Sequence, residues 1–129
     1  MRILLDTCTF LWMTLDAPAL SQKARQLLAD PGHEVYLSAI SAWEIGVKYS
    51  TGRLPLPNPP AVFVPTQRQA LGLIPLIFGE PAALLEAGLP RIHKDPFDRA
   101  LICQAIIENL ILLTPDPAIR RYPVVRTGW

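Results

Sequence analysis

"RILLDTCTFLW", residues 2–12, sets the architecture. A short apolar run meets an acid, and an apolar segment of a different kind follows. "RILLD" (2–6) has the density of a buried strand. "CTFLWMTL" (8–15) has apolar residues too close together for one face, and reads as a mostly buried helix. The unit is therefore strand, acid, helix.

Working outward, Asp16, Pro18 and Ser21 punctuate the chain. "SQKARQLLAD" (21–30) is amphipathic, with Ala24, Leu27 and Leu28 on one face and Ser21 as N-cap. "DPG" (30–32) breaks it, and "EVYLS" (34–38) reads as a second strand. "SAISAWEIGVKYSTG" (38–52) reads as a helix, with Ile40, Trp43 and Val47 apolar and Gly52 as its stop. "RLPLPNPP" (53–60) is a connection, because proline cannot build regular structure there. Residues 61–71 read as a helix. "LGLIPLIF" (71–78) holds a third strand interrupted by Pro75, and "PAALLEAG" (81–88) a short helix. "PFDRALICQAIIEN" (96–109) is the clearest helix, with Asp95 as its N-cap and Pro96 at the first position. "LILLT" (110–114) predicts a buried strand, "DPAIRRY" (116–122) a short helix or turn, and "PVVRT" (123–127) a final strand.

Strands alternating with helices favour an α/β fold: a largely parallel sheet with helices on both faces. The 129 residues suit one domain, 1–129. Half are hydrophobic and 18% charged, which fits a folded core. The net charge of +1 gives no global basic field, so an anionic ligand must be held by a local patch or by metal ions. Cys8 and Cys103 stand far apart and outside any C-x-x-C pattern, which argues against zinc and for free thiols. "MRILLDT" does not read as a signal peptide. No stretch approaches the ~18 apolar residues of a membrane span. A cytoplasmic location is the expectation.

Acids are few, eleven in all, so their placement carries information. Asp6 ends the first strand and Asp116 follows "LILLT". Ligands of open parallel sheets bind outside the carboxyl ends of the strands. Glu44, near the start of its helix, and Asp98, in the first turn of another, begin on that same edge. Four carboxylates there would repel one another unless a cation lay between them. Oxygen ligands suit Mg²⁺ or Mn²⁺. The chemistry expected of them is metal-assisted phosphodiester hydrolysis, in which the metal polarises the phosphoryl group, generates the attacking hydroxide and stabilises the leaving oxygen. Each acid also has a purely structural reading. Ser41 with Glu44 forms a capping box, and Asp95 with Asp98 imitates one. Asp6 would bind backbone N–H groups at a strand end, and Asp116 would be a turn acid or N-cap.

At these residues the chain resembles PIN-domain proteins, specifically the VapC-type toxins of bacterial toxin–antitoxin pairs. The resemblance rests on "LLDTCTFLW" (4–12), "LSAISAWEIGVKYSTGRLPL" (37–56), "LPRIHKDPFDRALICQA" (89–105) and "LLTPDPAIRRYPV" (112–124). It implies a three-layer α/β/α sandwich around a mostly parallel sheet of about five strands. It also implies an Mg²⁺- or Mn²⁺-dependent endoribonuclease acting on RNA, homodimers, and a VapB-like antitoxin that blocks the site. By position, the metal-binding catalytic acids are Asp6, Glu44, Asp98 and Asp116. Asp116 lies in a T-x-D element, Thr114-Pro115-Asp116. Thr7 and Thr114 are the hydroxyls that orient a carboxylate or a bound water. Where relatives often have His in a D-T-H stretch, this chain has Cys8. Pro115 and Pro117 stiffen Asp116, either fixing it or holding it off the metal.

Phosphates also need cations. Arg99, next to Asp98, is the best candidate. Lys48 would hold RNA or pair with Glu44 four residues earlier. Arg120 and Arg121 follow the fourth acid. His93 reads as a surface or capping group, since a metal-hydroxide mechanism needs no histidine base. Trp12 and Trp43 read as core or dimer-face aromatics. The rival functions are a non-catalytic binding module of this fold, and a metal-dependent phosphatase or DNA nuclease using the same acids.

Overall fold

A computed structural model describes residues 1–129. Five strands form one sheet: β1 (Arg2–Leu5), β2 (Glu34–Ser38), β3 (Ile74–Leu76), β4 (Ile111–Leu113) and β5 (Thr127–Gly128). Their order is β3-β2-β1-β4-β5, and every pairing is parallel. Helices α1 (Thr7–Leu15), α2 (Gln22–Ala29), α3 (Ala39–Ser50), α4 (Pro60–Ala70), α5 (Glu80–Leu85), α6 (Pro96–Ile107) and α7 (Pro117–Arg120) connect them.

Alternation along the central strands makes the three layers. Leu4 of β1 and Leu112 of β4 pack with Leu101, Ile102 and Ala105 of α6. Ile3 and Leu5 point the other way, to Phe10 of α1, Ala24 of α2 and Ile45 of α3. Side chains on a strand alternate faces, so a run apolar at every position must be covered on both sides. Ile3, Leu4 and Leu5 are each fully buried.

The chain runs outward from β1 to β2 and β3, then returns to place β4 on the other side of β1. That reversal leaves a crevice between the carboxyl ends of β1 and β4, where open α/β sheets bind ligands. Helices start there at once. Asp6 caps α1, Ser38 caps α3 and Asp116 caps α7.

Several boundaries differ from the sequence reading. The final strand is Thr127–Gly128, not 123–127. Pro123 has no N–H for a ladder, and Val125 is buried against the α6 side of the core while Val124 is exposed. Helix α1 is less buried than expected. Only Thr7, Thr9 and Phe10 are inside, and Leu15 is 76% exposed. Pro75 is kept within β3 because β3 is an edge strand. Gly52 (φ 75°) and Asn109 (φ 54°) follow α3 and α6 in the left-handed region that closes a helix.

Leu112→Ala should lower stability by about 2–5 kcal/mol, the usual cost of a large-to-small change in a core. Leu84→Ala, at an exposed position of α5, should stay within about 0.5 kcal/mol. Urea-denaturation midpoints compare the two, and equal midpoints would remove β4 from the core.

Candidate metal centre

Asp6, Glu44, Asp98 and Asp116 line one cavity of about 210 Å³ at the β1–β4 crevice, together with Thr7, Cys8, Lys48 and Asp95. Each acid arrives from a different element and is held differently.

Asp6 is 3% exposed. Its Oδ1 accepts from the Thr9 backbone N–H (2.8 Å) and its Oδ2 from the Thr114 hydroxyl (2.5 Å). The Cys8 thiol donates weakly to the same carboxylate, with Sγ 3.5 Å from Oδ1. Burial raises the Asp6 pKa; the bonds from Thr114, Thr9 and Cys8 oppose that without reversing it. Burial first, then the Asp6 charge, pushes the Cys8 thiol well above its ordinary value. Cys8 is thus a protonated donor to Asp6, not a thiolate. Both cysteines are free, as expected.

Asp98 stands apart from Asp95. The Asp95 carboxylate caps α6, accepting from the backbone N–H groups of Phe97 (2.9 Å) and Asp98 (3.1 Å). The Asp98 side chain, with Oδ2 3.3 Å from the His93 ring, lines the cavity. Its pKa is pushed up to about 8, chiefly by burial and then by the charges of Asp95, Glu44, Asp116 and Asp6.

Glu44 is 4% exposed and sits in the second turn of α3. The Ser41–Glu44 capping box does not form. Ser38 caps the helix instead, accepting from the Ile40 N–H, while Ser41 is buried three residues in. One Glu44 oxygen pairs with Lys48. The other, Oε1, is buried without any hydrogen-bond partner. An unpaired buried carboxylate oxygen is costly. Lys48 therefore sits at the site as the i,i+4 partner of Glu44.

Asp116 keeps the N-cap role. Its Oδ1 accepts from the Ala118 N–H (2.8 Å) and its own N–H donates to the Thr114 hydroxyl (3.1 Å). Pro117 supplies the first helical residue. The two prolines hold the acid at the cavity wall with one oxygen already engaged.

Three expectations need correction. Arg99 does not face the acids: it is 2% exposed, its Nε donates to Glu86 (2.6 Å), and its NH1 group donates to the Pro90 carbonyl (2.8 Å) and the Tyr122 hydroxyl (3.0 Å). On a helix, adjacent residues point about 100° apart, so neighbouring Asp98 and Arg99 face different ways. A buried guanidinium must have partners. Thr7 does not orient a carboxylate either. Its hydroxyl donates to Ser41 (3.0 Å) and joins α1 to α3; the Thr9 N–H does the work expected of it. Third, His93 is not a surface group. Its ring is half-buried between Asp98 and Tyr122. The signal available for it was its position just ahead of the α6 cap. Trp43 is 62% exposed, edge-on to Phe97, and Trp12 packs on Trp129.

The set consists of hard oxygen donors, which suit Mg²⁺ or Mn²⁺. The Glu44 oxygen without a partner fits a cation as well. In this arrangement no group of three or more His, Cys, Asp or Glu side chains stands close enough together to hold a metal ion.

A family model described as the PIN domain matches residues 3–125. Ribonuclease VapC16 of Mycobacterium tuberculosis is 41% identical over 54 residues, which are 42% of this chain and 38% of that protein. Among solved structures, VapBC2 from Rickettsia felis bound to a promoter DNA fragment matches with a TM-score of 0.75 at 18% identity. That match covers 100% of this chain and 99% of the other. DNA-bound VapBC from Salmonella typhimurium matches with a TM-score of 0.70 at 16% identity, covering 99% and 97%. FitAcB from Neisseria gonorrhoeae reaches 0.62 at 23% identity, covering 98% and 96%. At these identities the structures bear on the fold. No helix is long and apolar enough to cross a membrane.

The raised Asp98 pKa predicts an inverted pH dependence. An unfolded aspartate titrates near about 4, so between about pH 4 and the folded value of about 8 the folded state keeps a proton that the unfolded chain has lost. Stability of the metal-free protein contributed by this group falls as pH rises through that window. Asp98→Asn removes the penalty. In EDTA it should gain about 0.5–2 kcal/mol at pH 8, and close to nothing at pH 4, by thermal denaturation. A loss at pH 8, or the same change at both pH values, contradicts this account of the cavity.

Proposed function

Because the chain belongs to the PIN domain family, we propose that it is the ribonuclease toxin of a toxin–antitoxin pair, a VapC-type enzyme that hydrolyses RNA with Mg²⁺ or Mn²⁺. The observation that carries this reading is the convergence of Asp6, Glu44, Asp98 and Asp116 on one crevice at the strand carboxyl ends. Similarity to Ribonuclease VapC16 supports RNA as substrate. The VapBC and FitAB complexes with this fold support a VapB-like antitoxin as partner. On this reading residues 1–129 are a single PIN domain that works in the cytoplasm, as a homodimer.

When bound, a divalent cation supplies Lewis-acid polarisation of the phosphodiester and a nucleophile at neutral pH. The chain's own groups prepare for it. Asp6 is fixed from two sides by Thr114 and the Thr9 N–H, so its carboxylate needs no reorganisation. Burial and the neighbouring acids push the Asp98 pKa up to about 8, so this carboxyl would give up a proton in holding a cation. Glu44 offers Oε1, while Lys48 offsets part of the negative charge the RNA phosphates must approach. Asp116, one oxygen engaged in its cap, faces the cavity with the remaining capacity.

Asp6→Asn and Asp98→Asn should each lower Mn²⁺-dependent cleavage of single-stranded RNA by at least about 100-fold, the scale on which loss of a preorganised charge acts. Each variant should keep its circular-dichroism spectrum, and excess EDTA should stop the parent. Cleavage at the parental rate by either variant removes that residue from the site. Full activity in EDTA sinks the metal-dependent reading.

A further inference from the structure

A chain of hydrogen bonds runs behind the cavity from Asp98 to Glu86, and beyond Asp98 its members have no assigned part in the chemistry. The His93 Nε2 lies 3.3 Å from Asp98 Oδ2, and the His93 Nδ1 lies 2.7 Å from the Tyr122 hydroxyl. Tyr122 is 2% exposed, and its hydroxyl accepts from Arg99 NH1 at 3.0 Å. Arg99 in turn donates to the Glu86 carboxylate and carbonyl, 2.6 Å and 3.1 Å away.

Donor inventory fixes the direction of one bond: a guanidinium only donates, so the Tyr122 oxygen accepts from Arg99 and its own proton is free for a second partner. His93 Nδ1, 2.7 Å away, is within reach as that partner, and the two His93 bonds then follow from the ring tautomer. With Nδ1 accepting, a neutral imidazole carries its proton on Nε2, and Nε2–H donates to Asp98 Oδ2. No hydrogen bond within the protein engages the other Asp98 oxygen, and its side chain borders the acid cavity. The Arg99–Glu86 pair anchors the chain, since Arg99 is buried and also holds the Pro90 carbonyl.

We propose that His93 is a positioning residue for Asp98: oriented by Tyr122 and Arg99, it takes up Oδ2 and leaves Oδ1 free toward the cavity as the oxygen that receives the divalent cation. This rests on the carboxylate-site reading given above. It gives Arg99 its part in the site, acting through two intermediaries instead of touching RNA. Hydrogen-bond partners of this kind orient liganding groups, and their loss costs about 10–100-fold in metal affinity.

Two measurements on the full chain test it. In metal-free protein at pH 8, nitrogen and carbon NMR of the ring should show His93 as the Nε2–H tautomer, and Tyr122→Phe should change that signature. Calorimetric titration with Mn²⁺ alone should show affinity falling about 10-fold in His93→Ala and Tyr122→Phe. His93→Gln, whose amide can still donate to Asp98, should stay within about 3-fold of the parent, with melting temperatures of His93→Ala and His93→Gln alike. Parental affinity in His93→Ala and Tyr122→Phe, with Asp98→Asn abolishing binding, overturns the positioning role and leaves the metal site standing. An Nδ1–H tautomer in the parent overturns it as well. A parent that binds no Mn²⁺ overturns the carboxylate-site reading, and this role with it.

Discussion

The Asp6 carboxylate, buried at the junction of the two central strands, is the interaction on which the rest of the site depends. It lies at the end of β1, caps α1 through the Thr9 N–H, and accepts from Thr114 at the end of β4. One side chain thus completes a helix start and closes the strand pair at which the sheet reverses its order. A short polar bond in a low-dielectric setting is strong, but an unpaired carboxylate there would be prohibitive. The parallel sheet supplies the donors, because every strand ends at the same edge and every following helix starts there with free N–H groups.

The same edge gathers too much negative charge. Asp95 and Asp116 are partly satisfied as caps, and Glu44 by Lys48. Asp98 has only the His93 ring, 3.3 Å from one oxygen, and its pKa is pushed up to about 8. Glu44 keeps one oxygen buried and unpaired. Sites retained at the expense of stability are expected where function needs strained electrostatics. The basic side chain nearest in sequence to Asp98 does not relieve it. Arg99 is turned inward to organise Glu86, Pro90 and Tyr122, and reaches Asp98 only by way of His93.

Much of this was legible without coordinates. The stretches 2–6, 34–38, 71–78 and 110–114 hold four of the five strands, and the Asp95-Pro96 start of α6 separates a capping acid from Asp98. The acids fall at strand ends and helix starts, and in a parallel sheet those positions share an edge. The final strand was misplaced because its two residues have no pattern of their own; pairing with β4 makes them a strand. The box at Ser41–Glu44 misled because Ser38, three residues earlier, offers the same cap and is held there by Gln104 of α6. The Thr7 hydroxyl is taken by Ser41, whereas Thr9 reaches Asp6 through its backbone N–H, a bond that owes nothing to its side chain.

The sequence by itself determined the strand–helix alternation, the sheet edge on which four acids arrive, and the PIN family to which the chain belongs. Those follow from local periodicity, capping chemistry and motif order, all of which act within a few residues. Only the tertiary structure decided where Arg99 and His93 point, which oxygen of each acid is already engaged, and that the Asp98 pKa is pushed up to about 8. These depend on partners far away in the chain, Tyr122 for His93 and Thr114 for Asp6, and on burial created by both core layers. Direction and protonation are properties of an environment, and an environment exists only after the chain has folded.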